Sequence, residues 1–137
     1  MQKVVIDTNI VVSSFISPKG IPAKIIALIA LTEEFIICYN EDILSEYQDV
    51  LSRTKFDKYN FKSTEIANFI KKVKKLGIFI EPMASDILLP DESDRIFYDT
   101  AKFAEAILIT GNIKHYPPED FIVTPTIFLQ LYQADIN

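Results

Sequence analysis

The chain has 137 residues, 49% of them hydrophobic, with ten Phe, six Tyr and no Trp. That length and apolar content suit one domain with a real core and exclude a disordered chain. A net charge of −5 excludes a protein whose main work is gripping nucleic-acid backbone with a broadly basic face. It leaves open an enzyme that meets phosphates through bound metal.

Val4-Val5-Ile6 is an apolar run closed by Asp7-Thr8-Asn9. It predicts a buried strand over Lys3–Asp7 that delivers polar side chains to a sheet edge. Asn9–Phe15 reads as a short helix, broken by Ser17-Pro18-Lys19-Gly20. Pro22 suits the first turn of a helix over Ala23–Leu31, whose near-continuous apolarity predicts burial on most sides. Phe35–Cys38 is a second strand, with Cys38 as a small buried thiol. Asn40 is a good N-cap for a helix over Glu41–Arg53, with acids in its first turn. Ile43, Leu44, Tyr47, Val50 and Leu51 form its inward stripe, and Glu46 lies at the stripe's border.

Lys55–Lys62 is a polar-aromatic connector. Ser63 or Thr64 caps a basic helix over Glu65–Lys75, and Gly77 stands where glycine favours ending a helix. Ile78–Ile80 is a third strand, closed by Pro82. Leu88–Asp94 is a loop entering a helix over Asp94–Phe103. Ala106–Thr110 is a fourth strand, ended by Gly111-Asn112, and Phe121–Val123 is a fifth. Thr126 caps a last helix through Gln133.

Strands separated by helices along the whole chain predict an α/β fold: three layers, α/β/α, around a central parallel five-stranded sheet. With no repeat or linker, residues 1–137 read as one domain. The longest apolar run, seven residues from Ile25 to Leu31, is far short of the ~20 that span a bilayer. The start opens straight into a strand, with no signal-peptide pattern, and a single cysteine fits a reducing compartment. A cytoplasmic protein is expected, with no membrane partner.

Three acids fall where a parallel sheet gathers side chains. Asp7 ends the first strand, Glu46 borders the buried stripe of the helix after the second, and Asp94 opens the helix before the fourth. Asn112 follows the fourth strand, which flanks the first at the strand-order reversal of common doubly wound sheets. Two unit charges at ~4 Å repel by about 4 kcal/mol at an effective dielectric near 20, so such a cluster calls for a cation. Hard oxygen ligands select Mg²⁺ or Mn²⁺, and one His with one Cys is too few for a zinc site. Each residue also has a plainer reading. Asp7-Thr8-Asn9 could cap the next helix, Glu46 could be a surface acid, Asp94 could serve the helix dipole and Asn112 a turn. Asp91 is a weaker, outer candidate. Asp99 lies about 140° round the helix from Asp94 and is expected to be exposed or to support from outside. Three glycines exclude a phosphate-cradling glycine loop.

The order of these pieces resembles the PIN domain. The matching segments are Val5-Ile6-Asp7-Thr8-Asn9, Ser45-Glu46-Tyr47 with Val50-Leu51, Asp94-Arg95-Ile96-Phe97 with Thr100-Ala101, and Ile107 through Asn112. Val123-Thr124-Pro125 with Phe128-Leu129 is similar to the subgroup that supplies toxins of toxin–antitoxin pairs. The resemblance implies a metal-dependent ribonuclease with Asp7, Glu46 and Asp94 as metal ligands and Asn112 at a fourth catalytic position, often Asp in the family. An amide adds no charge there, so one well-held ion is expected. It also implies products with 5′-phosphate and 3′-hydroxyl, an antitoxin partner and self-association.

The expected reaction is hydrolysis of an RNA phosphodiester, with Thr8, Asn9 and Thr110 orienting ligands or the phosphate. Lys55, Lys58 and Lys62, interleaved with Phe56, Tyr59 and Phe61, form a basic-aromatic stretch suited to single strands. Lys114, in Lys114-His115-Tyr116, is a phosphate contact nearer the site. Lys71, Lys72, Lys74 and Lys75 form another cluster, or a solvated helix face. Two rivals are a non-catalytic binding module that kept the fold, favoured by Asn112, and a metal-dependent phosphatase.

Overall fold

In the computed structural model, which describes residues 1–132, the strand Gln2–Ile6 (β1) lies at the centre of a five-stranded parallel sheet. The others are Phe35–Tyr39 (β2), Ile78–Phe79 (β3), Ile107–Ile109 (β4) and Ile122–Val123 (β5), in the order β3-β2-β1-β4-β5. The order reverses between β1 and β4, which pair from Val4–Ile107 to Ile6–Ile109. Val4, Val5 and Ile6 are all fully buried. Successive strand side chains point to opposite faces, so this requires cover on both sides of the sheet.

Among the described residues, six α-helices supply that cover: Thr8–Ile16 (α1), Ile21–Leu31 (α2), Glu41–Leu51 (α3), Ser63–Leu76 (α4), Arg95–Ala104 (α5) and Pro125–Tyr132 (α6). α2 and α4 pack on β2, whereas α5 runs across β1, β2 and β4. The architecture is the three-layer α/β/α arrangement expected. The predicted final residue of the last helix, Gln133, lies outside the described residues. Among those described, no single helix is long and apolar enough to cross a membrane.

Several local expectations change. α2 buries only Ile25 and Ile29, and Leu31 is 82% exposed, because a helix lying on a sheet presents one side to it however apolar the rest. The last helix starts at Pro125, and its cap is Thr124, whose Oγ1 accepts from the Ile127 N–H at 3.2 Å; Thr126 is already helical. The Lys55–Lys62 connector holds a short 3-10 turn, Thr54–Tyr59. Asn40 caps α3 as expected, accepting from Ile43 N–H at 3.0 Å. It also donates to Thr100 Oγ1 at 2.9 Å and to the Ile80 carbonyl at 3.2 Å, tying α3 to α5.

Gly77 follows α4 with φ −93° and ψ −179°, an extended backbone and not the left-handed cap glycine favours. Its lack of a side chain serves close packing. A Cβ there would stand 2.6 Å from the Ile37 and Val73 carbonyl oxygens and 2.9 Å from Ile37 Cγ2. Gly77→Ala should therefore destabilise the fold by about 1–3 kcal/mol through overpacking. Urea denaturation measures it, and an unchanged midpoint would contradict the close approach.

Candidate active site

β1 delivers its carboxyl end beside β4, and the side chains there interlock. Asp7 occupies the N-cap position of α1 yet makes no side-chain cap bond. Its Oδ2 instead accepts from Thr110 Oγ1 at 2.7 Å and from Tyr116 Oη at 2.9 Å. Asn9 Nδ2 reaches the same oxygen at 3.5 Å, and Asn9 Oδ1 accepts from Gly111 N–H at 3.1 Å. Thr110 Oγ1 in turn accepts from Asn112 N–H at 3.0 Å. The ends of β1 and β4 are thus joined through side chains beyond the ladder.

Glu46 comes from α3. Its neighbour Tyr47 is fully buried and donates its hydroxyl to the Ile6 carbonyl, pinning α3 to the end of β1. Asp94 is the last residue of the 3-10 turn Glu92–Asp94 and the N-cap residue of α5. Asp91 caps that turn, accepting from Ser93 N–H at 2.9 Å and Ser93 Oγ at 2.8 Å.

These residues meet in one open cleft of about 330 Å³. Asp7, Thr8, Asn9, Glu46, Asp91, Asp94 and Asn112 line it, with Lys55, Arg53 and His115 at its walls. Thr110 lies behind Asp7, fully buried. Lys114 is exposed on the short turn Ile113–His115, and Lys58 and Lys62 are exposed outside the cleft. Asp99 does not join the group. Of the two expectations for it, exposure or support from outside, exposure does not hold: Asp99 is buried and accepts from Ser85 N–H at 3.2 Å and Ser85 Oγ at 2.6 Å. The 140° turn from Asp94 carries it to a separate cleft, where it holds the segment before α5.

Electrostatics mark the cleft. Burial pushes the Asp7 carboxyl above its ordinary range, opposed by its hydrogen bonds from Thr110 and Tyr116. Glu46 is raised by burial and by the charges of Asp49, Asp7 and Asp91, with Arg53 opposing. Asp94 is pushed up to about 6 by burial and by the charges of Asp7 and Asp91. Asp91, fully exposed, is held low by its Ser93 hydrogen bonds. The Tyr116 hydroxyl is driven far up by burial and by the Asp7 charge, so it stays a donor.

The donor set fits a hard divalent cation. Two buried oxygens, Thr8 Oγ1 and Asp94 Oδ2, have no hydrogen-bond partner, which ordinarily costs about 1–3 kcal/mol each. His115 Nδ1 stands 3.4 Å from Asp94 Oδ2, too far for a good bond. A carboxylate trio with raised pKa values and free lone pairs is the environment an ion relieves. Among the described residues, no three His, Cys, Asp or Glu side chains lie close enough to ligate one ion directly. Water would complete the shell, as Mg²⁺ prefers.

The sequence placed Lys114-His115-Tyr116 near the site, but it did not foresee Arg53 at the cleft wall or the Tyr116 hydroxyl on Asp7. The one signal for Tyr116 was its hydroxyl, since a buried Tyr needs a partner; the fold makes that partner Asp7.

A PIN domain family model matches residues 3–114. The uncharacterized protein MJ1680 of Methanocaldococcus jannaschii is 36% identical over 111 residues, which cover 80% of this chain and 70% of that protein. The crystal structure of VapBC2 from Rickettsia felis bound to a DNA fragment from their promoter aligns with a TM-score of 0.58 at 17% identity. The alignment covers 90% of this chain and 97% of that one, and it shows a shared fold.

The raised Asp94 carboxyl has a consequence for stability. Its folded pKa of about 6 exceeds the ordinary 3.8, so the folded state binds the proton more tightly. Stability is then lost as pH rises through that window. Without metal, Asp94→Asn should melt higher than the wild type at pH 7.5, and the difference should vanish near pH 4. Thermal melts in EDTA at both pH values test it, and a gap that persists at pH 4 would refute the electrostatic cause.

Proposed function

The chain belongs to the PIN domain family, and from that premise we propose that residues 1–137 act as one metal-dependent endoribonuclease domain, the toxin of a toxin–antitoxin pair. The observation that carries the reading is the shared cleft of Asp7, Glu46 and Asp94 at the strand-order reversal. Ligands bind at that point of open α/β sheets.

Asp7 is the fixed corner, held by Thr110 and Tyr116 from behind. Glu46 and Asp94 bring their carboxylates from α3 and α5 and would hold the cation with it. When bound, Mg²⁺ or Mn²⁺ supplies charge neutralisation at the phosphate oxygens and lowers the pKa of a water nucleophile. Thr8, Asn9 and Asn112 offer neutral polar groups to orient the phosphodiester. Arg53 and Lys55, at the cleft wall, supply positive charge for the RNA backbone. Lys58, Lys62 and Lys114 extend that charge along the surface. An antitoxin partner, self-association and a cytoplasmic location follow from the same family reading. The likeness in fold to VapBC2 supports it.

The neutral Asn112 favours one second reading, a PIN-fold binding module without catalysis. Asp7→Asn separates the two. It should reduce Mn²⁺-dependent cleavage of RNA to background while the circular dichroism spectrum stays that of the wild type. Undiminished cleavage would remove Asp7 from the chemistry, and a wild type that binds no Mn²⁺ at millimolar concentration would favour the module. Asn112→Asp adds a carboxylate to the cleft and should tighten Mn²⁺ binding in isothermal titration. Unchanged affinity and stoichiometry would place position 112 outside the ion's reach.

A further inference from the structure

The end of α3 and the turn Thr54–Tyr59 enclose a second cleft of about 380 Å³, lined by Arg53, Phe56, Asp57, Asn60, Phe61 and Ser63 among others. Arg53 and Phe56 also line the acidic cleft, so the two share a wall. We propose that this second cleft is a subsite for one nucleobase of single-stranded RNA, that of a nucleotide next to the scissile phosphate. The inference rests on the reading of the chain as a ribonuclease and adds where the strand lies.

Three features select this occupant. The first is an aromatic stack at the surface. Phe56 and Phe61 stack at 5.9 Å with 30° between planes, and Tyr59 and Phe61 at 5.8 Å with 15°. Phe61 is braced edge-on by Phe15 at 5.5 Å, so the stack stands on the core. Phe56 is half-buried and Tyr59 is exposed, unlike rings whose only task is to fill a core.

The second feature is charge. Residues 53–62 carry four cations and one anion within a chain of net charge −5. Lys55 Nζ lies 5.1 Å from the centre of the Phe56 ring, and Lys58 Nζ lies 5.1 Å from that of Tyr59. Both the half-buried Phe56 and the exposed Tyr59 therefore have a cation beside them. A base can stack on such a ring while the ammonium turns to its phosphate, the pairing that single-strand binders use.

The third feature is a polar rim, on which the exposed acid Asp57 would turn away an anionic side chain. Asn60 and Ser63 can meet the polar edge of a base, while Arg53 stands on the shared wall where the backbone must pass. The turn that carries these groups is set in advance. Asn60 adopts the left-handed region at φ 52° and ψ 50°, and its N–H donates to the Asp57 carbonyl at 3.0 Å. An acidic peptide would use the cations but leave the ring faces and this rim without partners.

The test is fluorescence anisotropy in EDTA with a labelled single-stranded RNA octamer and with octamers carrying one abasic nucleotide at successive positions. Wild-type protein should bind the intact octamer more tightly than at least one of the abasic octamers. Phe56→Leu should weaken binding of the intact octamer roughly 5- to 150-fold, the range that loss of one base–aromatic stack produces. It should bind intact and abasic octamers alike, and Phe56→Tyr should restore the discrimination. Wild-type protein that binds every octamer equally overturns the subsite, and that arm needs no variant. If the wild type cleaves RNA while Phe56→Leu keeps wild-type binding and KM, the subsite falls and the nuclease reading stands. If the wild type neither binds nor cleaves RNA, both fall.

Discussion

A carboxylate buried at the reversal of the sheet is the constraint on which this molecule turns. Asp7 is 5% exposed, and a charge so placed is costly unless donors surround it. Thr110 from the end of β4 and Tyr116 just beyond supply them. Neither can reach Asp7 unless β4 lies next to β1. The strand order and the site are therefore one requirement. Asn9 adds to it by binding the Gly111 N–H, which closes the same junction through the backbone.

The other acids reach the cleft because their helices are anchored elsewhere. Glu46 is one residue from Tyr47, whose hydroxyl is spent on the Ile6 carbonyl. Asp94 is one residue from Arg95, which donates to the carbonyls of Ser85 and Ile87 and pairs with Glu92 at 2.6 Å. Asp99, a turn and a half along α5, grips Ser85 from the other side. Asn40 then links α3 to α5 through Thr100. Neighbours of each acid hold the frame, so the acids themselves stay available. The burial that raises their pKa values, joined at Glu46 and Asp94 by repulsion from neighbouring acids, is compensated by packing and hydrogen bonds outside the cleft.

What was legible in the sequence was whatever leaves a periodic or positional trace. The alternation of strand and helix, the stripe from Ile43 to Leu51 and the Asn40 cap depend on local spacing. The convergence of Asp7, Glu46 and Asp94 followed from where strands end. What was not legible depends on distant partners. Gly77 looked like a helix cap, but its reason is the Ile37 backbone a strand away. Apolar α2 looked buried, but a sheet contacts only one side of it. Asp99 and Tyr116 differ by one hydroxyl or one helical angle from residues with other tasks. Only Ser85 and Asp7, brought near by the fold, define what they do.

On the proposed ribonuclease reading, an acidic chain can still meet RNA because charge acts locally. At physiological ionic strength exposed charges are screened beyond roughly 8 Å, so the net −5 is not what an approaching phosphate feels. It meets the rim first, where Arg53 and Lys55 stand, and the acids only at the floor. A floor of three carboxylates repels a phosphate until a cation sits among them. The fourth corner, Asn112, is an amide, so it adds nothing to that repulsion and nothing to the hold on a second ion. Neutrality at that corner therefore limits how much positive charge the cleft can gather. On that proposed reading, the rim cations would carry a larger share of an RNA strand's charge than in a site with a fourth acid.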